Sequence, residues 1–307
     1  MNFEVFVLGT SGMMPLPNRF LTSAMVRREG ELFLFDSGEG TQISLKMLNI
    51  RWKRINSIFI SHMHADHVTG LPGILMLSSQ VDRDEPLTIY GPPKLAEYVN
   101  QTRKLLDMYI NYEIVIKSVE EGIILETDEY FVEAFKLDHT KPCFGYTMRE
   151  KPRSGVFNVE KAVELNVPKG PMWSRLQKNE EVVLEDGTII KPEMILGKQR
   201  EGRGFSYVTD TLYKDSIAQH VNNVDLLLCE GMFDDSLLES AKEKKHMTAS
   251  QAALVAKEGQ VASMGLIHYS PRYTDRQLKL LLKEAQEIFP NTFLAKDRMV
   301  FNIPLKD

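Results

Sequence analysis

Cysteine is scarce in this 307-residue chain: Cys143 and Cys229 are the only two. Two thiols cannot build a disulfide framework, so stability must come from a packed core, and such usage is compatible with a reducing compartment. Buried, inert thiols are the expectation. Long apolar runs are missing as well. No uninterrupted stretch approaches the ~20 residues of a membrane span, and the chain opens on the strand-like Asn2-Phe3-Glu4-Val5-Phe6-Val7-Leu8 with no basic leader. The expectation is a cytoplasmic protein without membrane association. A surplus of positive charge is also lacking, since 37 Lys/Arg stand against 42 Asp/Glu for a net charge of -5. That excludes wholesale coating of nucleic acid, which relies on displacing counterions with Lys and Arg. Any RNA contact must be local.

What the chain does have is a 43% hydrophobic content, enough for a substantial core. Its apolar strand candidates also share a pattern. Phe3 to Leu8 runs into Gly9-Thr10-Ser11-Gly12, Leu32 to Phe35 into Asp36-Ser37-Gly38-Glu39-Gly40, and Ile55 to Ser61 into His62. In each, polar, glycine-permissive or ligand-type residues collect at a strand end. Thr41 to Leu48 reads as a helix, and Asp66 is placed to cap another carrying Leu71, Ile74, Leu75 and Leu77. Further on, Asp225 to Glu230 reads as a buried strand and Thr248 with Gln251 as a capping box. Val261 to Ile267 reads as a strand, and Asp275 as the cap of a helix reaching about Phe289. Alternating strands and helices predict an α/β layered domain spanning residues 1-307.

Residues 149 to 203 break this rhythm. They are turn-rich at Lys151-Pro152-Arg153-Ser154-Gly155, Val167-Pro168-Lys169-Gly170-Pro171 and Gly197 to Arg203. They hold 11 Lys/Arg against 9 Asp/Glu, while the remainder of the chain is net negative. On composition alone this is a long solvated insertion.

The densest chemistry is His62-Met63-His64-Ala65-Asp66-His67: three of the chain's seven histidines and a carboxylate within six residues, directly after an apolar strand. Imidazole and carboxylate both suit Zn²⁺ at ~2.0 to 2.2 Å, with Mn²⁺ and Fe²⁺ as alternatives for the same donors. His139 after Tyr130 to Leu137, Asp210 after Phe205 to Thr209, and His268 after Val261 to Ile267 complete a seven-ligand set. Two ions ~3.5 to 4 Å apart would acidify a water and clamp the attacking and leaving oxygens of a phosphodiester. His246 follows the charged run Lys242-Glu243-Lys244-Lys245, where a solvated ring is the ordinary outcome. Held by a carboxylate such as Glu230, it could instead protonate a leaving oxygen. His220 has no such company and reads as structural.

The His-x-His-x-Asp-His run, with His139, Asp210 and His268, resembles the dinuclear members of the metallo-β-lactamase superfamily. Within it, Thr10-Ser11-Gly12-Met13-Met14-Pro15 with Arg19, His246-x-Thr248, and His268-Tyr269-Ser270-Pro271-Arg272-Tyr273 resemble motifs of the tRNase Z family. Gly155-Val156-Phe157, Val167 to Pro171 and Glu185-Asp186-Gly187 are similar to that family's exosite arm. The resemblance implies an αβ/βα four-layer sandwich with an inserted arm at about 149-203. It implies two Zn²⁺ per subunit, one on His62, His64 and His139 and the other on Asp66, His67 and His268, with Asp210 bridging. It further implies a homodimer that trims the 3′ trailer from precursor tRNA, with one subunit's arm, through Lys169, Gly170 and Pro171, gripping the tRNA cut by the other. Asp66, His246 and Glu230 are then the catalytic residues, and Ser270 and Arg272 contact phosphate. The competing readings are a phosphodiesterase for small or cyclic phosphodiesters on the same metal site, and a non-catalytic RNA-binding protein.

Overall fold

The computed structural model describes residues 2–81 and 83–306. Strands β1 (Phe3–Gly9), β2 (Ser23–Arg28), β3 (Glu31–Phe35), β4 (Ile55–Phe59), β5 (Leu87–Gly91) and β6 (Ile114–Ser118) come first. Then follow β7 (Gly122–Glu126), β8 (Tyr130–Leu137), β9 (Cys143–Glu150) and the short β10 (Val182–Val183) and β11 (Ile189–Ile190). Last are β12 (Gly204–Val208), β13 (Leu226–Glu230), β14 (Met264–Ile267), β15 (Thr292–Leu294) and β16 (Val300–Asn302). They form two seven-stranded sheets, in the orders β16-β1-β2-β3-β4-β5-β6 and β15-β14-β13-β12-β9-β8-β7, with β10 and β11 paired apart from both.

The inner faces of the two sheets meet in an aromatic-rich core. Phe35 of β3 lies 5.1 Å from Phe59 in its own sheet, and 5.4 and 5.9 Å from Phe205 and Tyr207 of the other, ring centroid to ring centroid. Burying one such ring is worth about 1.5–3 kcal/mol. The outer face of the first sheet is covered by helices Thr41–Met47, Leu71–Gln80 and Lys94–Leu105. Helices Ser216–His220, Ala249–Glu258 and Leu278–Ile288 cover the second. The layers therefore run αβ/βα. β13 pairs in parallel with both β12 and β14. Its Leu-Leu-Leu-Cys run is buried throughout, as a strand covered on both faces must be. Cys143 and Cys229 are free and buried, and burial pushes both thiols up from their usual pKa.

Two expected caps differ. Asp66 does not open the long helix: it sits in the single turn Ala65–Val68, and a separate helix starts at Leu71 with a proline in its first turn. The carboxylate is turned inward instead, where it accepts the Met13 N–H at 2.8 Å. Asp275 is likewise not the cap of the last helix. Thr274 and Gln277 exchange bonds ahead of Leu278, with Thr274 N–H donating to Gln277 Oε1 at 3.0 Å. The Thr248–Gln251 box forms as the spacing predicts.

Between β9 and β12 the chain leaves the sheet and packs a small cluster of its own around Ala162, Val167, Leu176, Val182, Ile190 and Ile195. Lys169, Gly170 and Pro171 lie on this segment, at the start of helix Pro171–Gln177, and Gly170 has φ 127°. Among the described residues no helix is long and apolar enough to cross a membrane.

Candidate active site and metal centre

In the first sheet β3, β4 and β5 run parallel, and in the second β12, β13 and β14 do. Their C-terminal ends, with that of β8, deliver Asp36, His62, His139, Asp210, Glu230 and His268 to one edge of the sandwich. Three of these residues hold backbone conformations that L-residues adopt at a cost. Asp36, Asp210 and His268 have φ of 55°, 24° and 58°. Strain of this kind persists only where surrounding contacts over-determine it, and it concentrates at functional sites.

The donors fall into two sets. His62 Nε2, His64 Nδ1, His139 Nε2 and Asp210 Oδ2 form one, with His62–His64 at 2.9 Å, His64–His139 at 3.1 Å, and Asp210 at 3.5 and 3.6 Å from His62 and His139. His67 Nε2, His268 Nε2, Asp66 Oδ2 and Asp210 Oδ1 form the other, with separations between 3.1 and 3.6 Å. Four ligands ~2.1 Å from a tetrahedral ion lie about 3.4 Å from one another. The separations within each set bracket that value, and the two oxygens of Asp210 are divided between them. All seven sequence-predicted ligands are brought together.

Tautomers follow from the outer partners. Ser61 Oγ donates to Asp36 Oδ2 at 2.8 Å, so it must accept from His62 Nδ1 at 3.0 Å, which leaves His62 Nε2 bare. His67 Nδ1–H donates to Asp36 Oδ2 at 2.7 Å and His139 Nδ1–H to the Lys245 carbonyl at 2.9 Å, which bares their Nε2 atoms too. Such outer bonds fix ring orientation and raise ligand basicity. Burial, reinforced by the neighbouring His67 ring, holds the His62 pKa well below its ordinary value. Burial also disfavours a charged His67, but Asp210, Asp66 and Asp36 outweigh it and raise that pKa. Asp210 is buried, which favours its neutral form, yet His268 and His67 keep it ionised. An Nε2 within reach of three carboxylates favours a positive charge at that point, carried by a proton or by a metal ion. The donors fit a divalent metal.

Sequence reading missed the supports. Asp36 is buried and accepts from Ser61 N, Ser61 Oγ, His67 and the Tyr207 hydroxyl. Its position at a strand end was the available signal. Met13 N–H and the Lys245 carbonyl are main-chain groups that leave no mark in a side-chain pattern. Gly12 is a further support. A Cβ there would lie 2.7 Å from His268 Cε1 and 2.9 Å from its Nε2. Gly12→Ala will therefore displace the His268 ring and weaken metal binding about 10- to 100-fold, the usual scale of an outer-shell defect. Titration with a competing chelator measures this.

Beside the donors, Glu230 has no exposed surface and takes the Thr211 N–H at 2.6 Å and His246 Nδ1–H at 3.1 Å. Burial lowers the affinity of His246 for a proton, but the Glu230 carboxylate outweighs it and the pKa is pushed up to about 9. The His246 ring centre lies 5.1 Å from that of His139 and 5.5 Å from that of His268. His246 can also join Asp210 and His268 in a third donor group. Ser270 is buried, whereas Arg272 is exposed with its guanidinium 5.1 Å from the Phe233 ring centre. His220 is away from the cluster, bonded to Glu133 at 2.8 Å and stacked on Phe135.

Comparison with known proteins places this geometry in a lineage. The family model described as Anti-Pycsar protein Apyc1 matches residues 3–146, stopping before the inserted segment. The chain is 61% identical to a ribonuclease Z of Treponema denticola over the whole of both chains. It is 55% identical to that of Treponema pallidum, covering all of this chain and 99% of the relative. The solved human tRNase Z, short form, superposes with a TM-score of 0.71 at 26% identity, covering 98% of this chain and 99% of the other. The metallo-β-lactamase fold protein YhfI of Bacillus subtilis gives 0.69 at 19% identity over 99% and 100%, a likeness of fold. Identity of this level along the full length, on the same two-sheet frame, means that the chain belongs to the ribonuclease Z family, built on the metallo-β-lactamase fold.

Proposed function

We propose that this chain is a zinc-dependent endoribonuclease that removes the 3′ trailer from precursor tRNA, acting in the cytoplasm as a homodimer. The observation that carries the reading is the pair of donor sets sharing Asp210, with the Glu230–His246 pair beside them. His62, His64 and His139 would hold one ion, Asp66, His67 and His268 the other, and Asp210 both. Two Zn²⁺ there would supply a water acidified near neutral pH and a clamp on the phosphate oxygens. The side chains supply the rest. Asp66, steadied by the Met13 N–H, orients the water and takes its proton. His246, protonated and held by Glu230, gives its proton to the departing 3′ oxygen. Arg272 and Ser270 lie just past His268, where a phosphate would approach. Lys169, Gly170 and Pro171 on the inserted arm contact the tRNA, which gives an acidic protein a local basic surface for RNA.

A 3′-extended precursor tRNA incubated with the purified protein tests the reading. A single cut at the base of the acceptor stem, abolished by chelator and restored by Zn²⁺, is the expected result. One rival, hydrolysis of small or cyclic phosphodiesters, would use the same donor sets and needs no arm. Turnover of cyclic nucleotides with no cut in any precursor tRNA would transfer the assignment to that class.

A further inference from the structure

The inserted segment departs from the sheet after Glu150, the last residue of β9, and returns at Arg203, just before β12. These two residues are bonded to each other in the interior. Arg203 Nε donates to Glu150 Oε2 at 2.7 Å and Arg203 Nη2 to Glu150 Oε1 at 2.8 Å. The Glu150 N–H donates to the Arg203 carbonyl at 2.9 Å. From the opposite sheet Arg28 Nε reaches the same carboxylate at 2.9 Å, while Arg28 Nη1 reaches Glu129 at 3.0 Å. Exposure is 6% at Arg28, 7% at Glu150 and 2% at Arg203. Burial alone would favour a neutral Glu150, but the two guanidiniums outweigh it and keep the carboxyl ionised. Outward from this point runs a short ladder in which Arg153 and Arg200 exchange both main-chain bonds at 2.8 and 2.9 Å. Gly197 N–H then donates to Val156 O at 2.9 Å, and Asn158 N–H to Ile195 O at 3.0 Å. A Cβ on Gly202 would meet the Glu150 carbonyl at 2.0 Å, so the returning strand can press against the departing one only as glycine.

A fully paired buried ion network contributes little net stability compared with an apolar substitute, and its best-attested use is to specify one geometry over others. A bidentate guanidinium–carboxylate fork fixes direction as well as distance. We propose that Arg28, Glu150 and Arg203 are positioning residues that lock the root of the inserted arm to both sheets. They thereby set the arm's direction relative to the metal centre, and with it the affinity for a large folded RNA. This rests on the reading that the arm holds tRNA. None of the three touches the donor sets, so the lock acts on binding of the macromolecule and leaves the phosphodiester chemistry alone.

The test pairs two substrates with a direct readout of the arm. Arg203→Lys keeps the charge and removes the fork; Glu150→Gln keeps the shape and removes the charge. For each, KM and kcat are measured on precursor tRNA and on bis(4-nitrophenyl) phosphate, with hydrogen exchange followed at the amides of Arg153, Asn158, Gly197 and Arg200. The expected result is a KM for precursor tRNA raised about tenfold in Arg203→Lys and further in Glu150→Gln. Small-ester turnover should stay within twofold, and the root amides should exchange faster. Unchanged root exchange and unchanged KM would overturn the proposal. A parallel fall on both substrates would also overturn it, because that is the signature of general destabilisation. Should the wild-type protein leave precursor tRNA uncut, the tRNA reading fails separately, and the exchange rates still decide whether the network holds the arm.

Discussion

Asp210→Ala will leave a folded protein that holds neither metal at stoichiometric occupancy and has lost at least about 10³-fold in cleavage rate. One oxygen of this residue belongs to each donor set, so a single substitution removes a ligand from both. Each ion supplies several kcal/mol of charge stabilisation in the transition state, and about 4 kcal/mol corresponds to 10³-fold in rate. The alanine also removes the carboxylate that offsets the surrounding imidazoles. Metal content by mass spectrometry and single-turnover cleavage check the expectation together. A variant that kept both ions and lost under tenfold in rate would remove Asp210 from the bridging position. Losing only one ion would assign it to a single set.

His246→Ala should reduce kcat on precursor tRNA by about 10²- to 10⁴-fold, the range for a general acid, with both metals retained. The pH profile carries the more particular expectation. A ring whose pKa is raised to about 9 by Glu230 is protonated, and so competent to donate, at neutral pH. Activity that depends on that proton is present below the pKa and is lost as pH rises through it. Two bound dications nearby oppose protonation, so the alkaline limb of kcat lies at or below about 9, and His246→Ala will flatten it. Loss of a metal together with activity would instead make His246 a ligand, as its place in a third group with Asp210 and His268 allows. Glu230→Gln should shift the same limb to lower pH while leaving the ring in place.

The histidine run was legible because ligand density within six residues has no packing explanation. His139, Asp210 and His268 were legible because each follows an apolar strand. Their grouping into one seven-ligand set was expected from residue type, but the means was not legible: β8, β12 and β14 present C-terminal ends on one edge, a fact of sheet order that no local pattern encodes. Asp66 was misplaced as a helix cap because an aspartate before an apolar stretch satisfies the capping rule whether or not its carboxylate is needed elsewhere. The α/β layering followed from alternating strands and helices, and the αβ/βα sandwich from the family resemblance. The antiparallel β7-β8-β9 meander at the edge of the second sheet came only with the structure. The supports for the donors were least visible of all. The carbonyl of Lys245 and the N–H of Met13 belong to main chain that any residue would offer, and only the fold determines where they point.

The donors come from both halves of the sandwich. His62, His64, Asp66 and His67 follow a strand of the first sheet, while His139, Asp210 and His268 follow strands of the second. A partly folded chain in which only the first sheet has formed presents three imidazoles and one carboxylate. It lacks His139, Asp210 and His268, and can complete neither donor set. Metal affinity is thereby tied to completed tertiary structure, because the donors meet only when both sheets are in place.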